Sequence, residues 1–179
     1  MKINKKHWFS VVPLLILIVF LMYLQKDHYS YLTENSINEL KNKENIEILD
    51  YKIVNDVKEP FAYVFYKKEN KLGSYIVRVI DNKPVYNIDF SINEDTADEI
   101  QAFGVSTGYP YAMIRINDEK ILGNGEFIRF SFGNEKEYQV TLKDNKREYM
   151  FVGSYNEGYN QSASLEVIDK NSNIIYQDW

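Results

Sequence analysis

FAYVFYKKENKLGSYIVRVIDNKPVYNIDFSI, residues 61–92, decides the fold class. Phe61 to Lys67 is apolar on both faces, as a strand covered on two sides is. KENKLG, residues 68–73, reads as a hairpin loop closed by Gly73. Tyr75 to Asp81 returns as a second strand, and Asp81-Asn82-Lys83-Pro84 is a tight turn. Val85 to Ile92 then alternates, with Tyr86, Ile88, Phe90 and Ile92 inward and Asn87, Asp89 and Ser91 outward. The stretch predicts an antiparallel meander. So small a sheet is not stable alone, so it requires a second layer, either the 29–44 segment or the C-terminal part.

Upstream, Ile46, Ile48, Tyr51 and Ile53 give a first strand with an irregularity at Asp50, and Glu59-Pro60 punctuates the chain. Before that, Tyr29, Leu32, Ile37 and Leu40 share one helical face. Two readings stand for this segment: a helix restarting at a Ser36/Glu39 capping box, or a stalk continuing from the preceding apolar run. Downstream, NEDTADEIQAFG (residues 93–104) predicts a short helix with Thr96 and Glu99 as a capping box and Gly104 as its stop. A calcium loop fails there, because Ala97, Asp98 and Gly104 occupy positions that require an oxygen ligand, Gly and Glu.

From Tyr109 onward the chain is short strands and turns. The inward sets are Ala112, Ile114 and Ile116, then Ile128, Phe130 and Phe132, then Tyr138, Val140 and Leu142. Strands at Tyr149 to Gly153, Ser164 to Asp169 and Asn173 to Gln177 follow. Asp118-Glu119-Lys120 and Gly123-Asn124-Gly125 read as turns. The spacing suggests a small immunoglobulin-like sandwich, although the Cys and core Trp of a true immunoglobulin domain are absent.

WFSVVPLLILIVFLMYL, residues 8–24, carries no charge. It is the length of a membrane-spanning helix, with Lys6 and Lys26 able to snorkel at its ends. Lys2, Lys5 and Lys6 precede it, so the N-terminus is expected in the cytoplasm and residues from 25 onward outside. No small residues after it mark a cleavage site, and without Cys there is no lipoprotein acylation. The expected organisation is a cytoplasmic tail (1–7), a membrane anchor (8–24), a stalk or amphipathic helix (25–45), a meander with a short helix (46–104), and the sandwich (105–179). A tail this short leaves no room for a folded cytoplasmic output.

Three of the 21 basic residues and none of the 26 acidic ones precede residue 25, which leaves the remainder at −8. That sign opposes nucleic acid and anionic lipid as partners. The absence of Cys removes disulfides, thiol nucleophiles and thiolate metal sites. The external part therefore relies on its core, and about 155 residues suffice for one. The Lys-, Asn-, Ile- and Tyr-rich composition fits a bacterial source.

The search for chemistry yields little. His28 is the one histidine after the apolar run, which opposes a Ser-His-Asp triad and a histidine zinc site. Gly123-Asn124-Gly125 is followed by a strand pattern and not by the helix that a phosphate loop needs. Asn160-Gln161-Ser162 is formally a glycosylation sequon. No metal or cofactor is expected, and no pair of carboxylates stands out for hydrolysis. GSYNEGYNQSAS (153–164) and STGYPY (106–111) have the Tyr-Gly-Ser-Asn composition of recognition loops, and loops gather at the ends of a sandwich. Tyr109, Tyr111, Tyr155 and Tyr159 are therefore the candidate contacts. The expected function is a non-enzymatic interaction module, an accessory to another membrane or envelope protein. A carboxylate-based envelope hydrolase and a solute-sensing domain served by a separate transducer are the alternatives.

Overall fold

The computed structural model describes Pro13 and residues 15–18, 28–133, 137–143, 146–155 and 163–178. Most of the 8–24 segment, expected to be a membrane anchor, lies outside these residues. Pro13 and residues 15–18 are helical, and Leu15, Ile16, Leu17 and Ile18 are all exposed. Among the described residues, no helix is long and apolar enough to cross a membrane.

The first sheet is built by β2 (Glu47–Val54), β3 (Phe61–Lys68), β4 (Lys71–Ile80) and β5 (Lys83–Asn93), a continuous antiparallel meander. The two-residue strand β1 (Tyr29–Ser30) pairs with the end of β4. That strand excludes a helix running unbroken from the apolar run. Helix α1 (Glu34–Glu44) starts afresh with Thr33 as its N-cap, three residues before the Ser36 of the expected Ser36/Glu39 box. Asn45 ends it in the left-handed conformation, its N–H returning to the Lys41 carbonyl.

Both faces of this sheet are covered. Ala62, Val64, Tyr66, Tyr75 and Val77 pack under Ile37 and Leu40 of α1 and Leu32 just before it. Phe61, Tyr63, Phe65 and Leu72 face the other way, onto a second sheet. The near-continuous apolar character of β3 is thus explained by burial on two sides.

Three local details depart from strict alternation. The Leu49 bulge in β2, between the pairs Ile48–Tyr66 and Asp50–Phe65, aims Asp50 at its neighbour. There the carboxylate accepts from the Met150 N–H at 3.0 Å and pairs with Lys146 at 3.2 Å. A second bulge, at Asp89, shifts β5 by one residue, since Ser74 pairs with Phe90 but Tyr75 with Ile88. Tyr86 consequently lies on the α1 side while Phe90 and Ile92 lie on the opposite side, and Ile88 is 59% exposed. The expectation of one inward row from Tyr86 to Ile92 is corrected by that extra residue. Finally, Glu69-Asn70 alone makes the β3–β4 turn, and Gly73 belongs to β4. A Cβ on Gly73 would lie 2.5 Å from the Phe90 carbonyl oxygen and 2.8 Å from the Tyr66 hydroxyl, so glycine is there for close approach and not for the loop.

The second sheet has the order β10 (Glu148–Val152), β7 (Tyr111–Ile116), β6 (Ile100–Val105). The short helix expected over 93–104 is absent; residues 100–105 are strand β6, paired along its length with β7. Long-range pairing outweighs a weak local helix signal here, because Ile100 and Phe103 find cores on opposite faces of a strand. The third sheet has the order β12 (Ile174–Asp178), β11 (Ala163–Asp169), β8 (Gly125–Phe132), β9 (Tyr138–Thr141). Helix α2 (Glu119–Asn124) joins β7 to β8, with Asp118 as its N-cap accepting from the Ile121 N–H at 3.1 Å. It replaces the two separate turns expected at 118–120 and 123–125.

The second and third sheets enclose Ile114, Ile116, Ile128, Phe130, Phe132, Phe151, Leu165 and Val167. The inward sets expected for the C-terminal part are found there. The layers run α1, first sheet, second sheet, third sheet, and the second sheet is buried on both faces.

Candidate functional site

One end of the second sheet gathers the loops singled out by composition. β6 ends at Val105, β7 begins at Tyr111 and β10 ends at Val152, with Val105 and Val152 both opposite Tyr111. The Gly153 N–H donates to the Pro110 carbonyl at 2.7 Å. The Tyr63 hydroxyl donates to the Tyr109 carbonyl at 2.9 Å, which pins the 106–110 loop to the first sheet.

On this base the aromatic rings form a column. Phe61 is buried, its ring centre 5.1 Å from that of Tyr109, and Tyr155 lies 5.2 Å beyond Tyr109. Tyr109 is half-buried and Tyr155 is 59% exposed. Tyr155, just after β10, thus adjoins the 106–110 loop and stands at the surface on an aromatic support. Tyr159 lies outside the described residues.

Tyr111 does not belong to this surface. It is 1% exposed, within β7, and points between the first and second sheets. Its ring lies 4.2 Å from that of Tyr63. Its hydroxyl shares a 2.9 Å hydrogen bond with Ser74 Oγ and also bonds the Asp89 carboxylate. Burial foremost, and the hydrogen bond to Asp89, push the Tyr111 hydroxyl well above the usual tyrosine range. Burial first, then the Asp89 carboxylate, push Tyr63 up to about 12. Ser74 is wholly buried, so this serine, tyrosine and carboxylate cluster offers no nucleophile to a substrate. It ties the two sheets together.

A cavity of about 280 Å³ opens at the same end, between the second and third sheets. Ala102 to Ser106 of the β6 side, Phe130 and Phe132 of β8, and Ala163 to Leu165 of β11 line it, with Asp178 of β12 at its margin. Gly104 is in this wall because a Cβ there would lie 1.9 Å from the Tyr111 carbonyl oxygen. Sequence reasoning placed Phe130 and Phe132 as core residues. That they leave a cavity follows from how β6 lies over β8 and β11, which no local pattern carries.

Beside the second sheet several charged groups form ion pairs. Arg115 holds Glu94 at 2.7 Å and Glu148 at 2.9 Å, and Lys67 holds Glu94 at 2.6 Å. Among the described residues, no group of three or more His, Asp or Glu is arranged to hold a metal ion. The chain matches no protein-family model, and no curated protein or solved structure matches it.

Proposed function

We propose that the chain is a membrane-anchored, extracytoplasmic binding module with its recognition surface at the Tyr109–Tyr155 end. The carrying observation is the exposed Tyr155 ring held on Tyr109. Rigid, half-supported tyrosines give large contact area at low entropic cost. The tether is residues 8–24, with residues 1–7 in the cytoplasm and the β part outside. In favour of it, Leu15 to Ile18 are apolar and exposed, which suits a lipid surround and not water. The C-terminal strands, with two facing sheets, are in keeping with an immunoglobulin-like sandwich. The partner is another membrane or envelope protein.

Hydrolysis is the weaker reading. Asp178 is the single carboxylate among the described residues lining the cavity, whereas glycoside hydrolysis uses two flanking carboxyl groups. A photoreactive amino acid at position 155, in living cells, tests the proposal. A specific adduct with one membrane or envelope protein is expected. Adducts only with lipid, or none above a control label at exposed Lys52, would overturn it.

A further inference from the structure

The open side of the sandwich is bounded by two strand edges, β6 in the second sheet and β12 in the third. Native proteins protect such edges with charges, proline or bulges. The edge strand β5 carries Pro84 and the Asp89 bulge, and β2 carries Glu47, Lys52 and the Leu49 bulge. Strand β6, IQAFGV, has none of these devices, and its Ala102 and Gly104 are exposed. The cavity lies directly beside this edge. At about 280 Å³ it is smaller than the roughly 300–1,000 Å³ sites that enclose whole small ligands, and its size suits an inserted side chain.

Asp178 is the one charged residue among the described residues that line the cavity. Residues 93–114 and 171–179 contain no Lys or Arg. Glu99 immediately precedes β6, and Asp178 ends β12 at the cavity. The Tyr176 hydroxyl, also on β12, is pushed upward by burial first and then by Asp178, Glu99 and Asp98. Nearby Arg115 is engaged by Glu94 and Glu148.

We infer that the cleft between β6 and β12 binds an extended, basic segment of a partner protein, added as a strand to the β6 edge. Main-chain hydrogen bonds to Ala102–Val105 supply affinity, and alternate side chains supply specificity. One apolar side chain enters the cavity between Phe130, Phe132 and Leu165. A Lys or Arg beside it faces Asp178 and Glu99. The inference rests on the reading of the chain as a binding module and specifies what that module takes.

The full chain in lipid nanodiscs is panned against a displayed library of random seven-residue peptides. Enriched peptides are expected to carry Lys or Arg within two residues of a large apolar side chain. Binding should slow amide exchange at residues 102–105. Ala163→Trp, a change at an exposed position that fills the cavity, should reduce retention at least tenfold, and Asp178→Lys should reverse the charge preference. Circular dichroism checks that both variants fold. If Ala163→Trp does not, the exchange data and Asp178→Lys decide. Absence of enrichment, unchanged exchange at 102–105, or full retention by a folded Ala163→Trp would overturn the inference. A Tyr155 adduct that persists alongside such failure leaves the binding module intact, whereas loss of both removes the broader reading as well.

Discussion

The ring centres of Tyr109 and Tyr155 lie 5.2 Å apart, yet the two residues differ in what each supports. Tyr109 sits between Phe61 and Tyr155, and its carbonyl accepts from Tyr63. Tyr155 is the outermost member and is mostly exposed. Tyr155→Ala is therefore expected to cost no more than about 0.5 kcal/mol, as exposed substitutions do. Tyr109→Ala loses ring contacts with both Phe61 and Tyr155, each worth about 0.5–1.5 kcal/mol beyond area burial. Urea denaturation of the two variants measures the difference. Equal costs would mean that Tyr155 is structural and no free contact.

Tyr111→Phe keeps the ring and removes the hydroxyl. Ser74 is wholly buried and loses a 2.9 Å partner, retaining only a 3.5 Å contact with Asp89. A buried polar group left unpaired costs about 1–3 kcal/mol. Adding Ser74→Ala should recover part of that loss, since both partners are then apolar. A double variant no more stable than the single would show that the hydroxyl contributes through Asp89 instead.

How far the sequence told this in advance depends on the range over which each decision is made. Alternation over Ile128, Phe130 and Phe132 was legible because one face of β8 meets one core. The two-sided burial of β3 was legible from FAYVFY. Tyr111 was not: STGYPY has loop composition, but Tyr111 is already the first residue of β7, and only the first sheet packed against it makes it core. The Asp89 bulge and strand β6 were likewise set by partners distant in sequence. Of the site, the nearness of Tyr109 and Tyr155 was foreseeable from loops meeting at a sandwich end. The cavity was not, because it depends on the stagger between facing sheets.

Alkaline pH gives a third test. Tyr63 and Tyr75 are both raised to about 12, chiefly by burial, and Tyr111 is raised further. A free tyrosine ionises near pH 10. A folded-state value above the unfolded one means that the contribution is complete below pH 10 and is lost as pH rises from 10 through 12. The urea midpoint should be flat up to about pH 9.5 and then fall, with tyrosinate absorbance appearing together with unfolding. Tyr63→Phe should show a shallower fall. A midpoint unchanged to pH 11.5 would contradict the burial of these hydroxyls.

Gly104 is tested by alanine. The added Cβ would fall 1.9 Å from the Tyr111 carbonyl oxygen, a backbone atom that no rotamer change can move. Strands β6 and β7 must separate, at a cost of about 1–3 kcal/mol or more. At Gly123 a Cβ meets nothing within 4 Å, so alanine there is the matched control. Similar thermal midpoints for the two variants would sink the close approach of β6 to β7.

The last test concerns whether the C-terminal strands stand alone. A fragment beginning at Gly104 keeps β7 to β12 but loses most of β6 and the entire first sheet. Tyr111, Met113 and Met150, each at most 2% exposed, face that missing sheet. Fully burying such a side chain contributes about 1.5–3 kcal/mol, so uncovering three removes several kcal/mol from a typical stability of about 5–15 kcal/mol. The loss of Ile100 also opens the other face, since Ile100 packs with Ile114 and Ile116. The fragment should therefore lack a cooperative urea transition and aggregate through its uncovered sheet. A fragment beginning at His28 retains α1 and all three sheets, and should unfold in one transition with a mainly β circular dichroism spectrum. A cooperative transition in the shorter fragment would mean that the second sheet needs only its third-sheet face, and that the cores on its two sides are energetically separate.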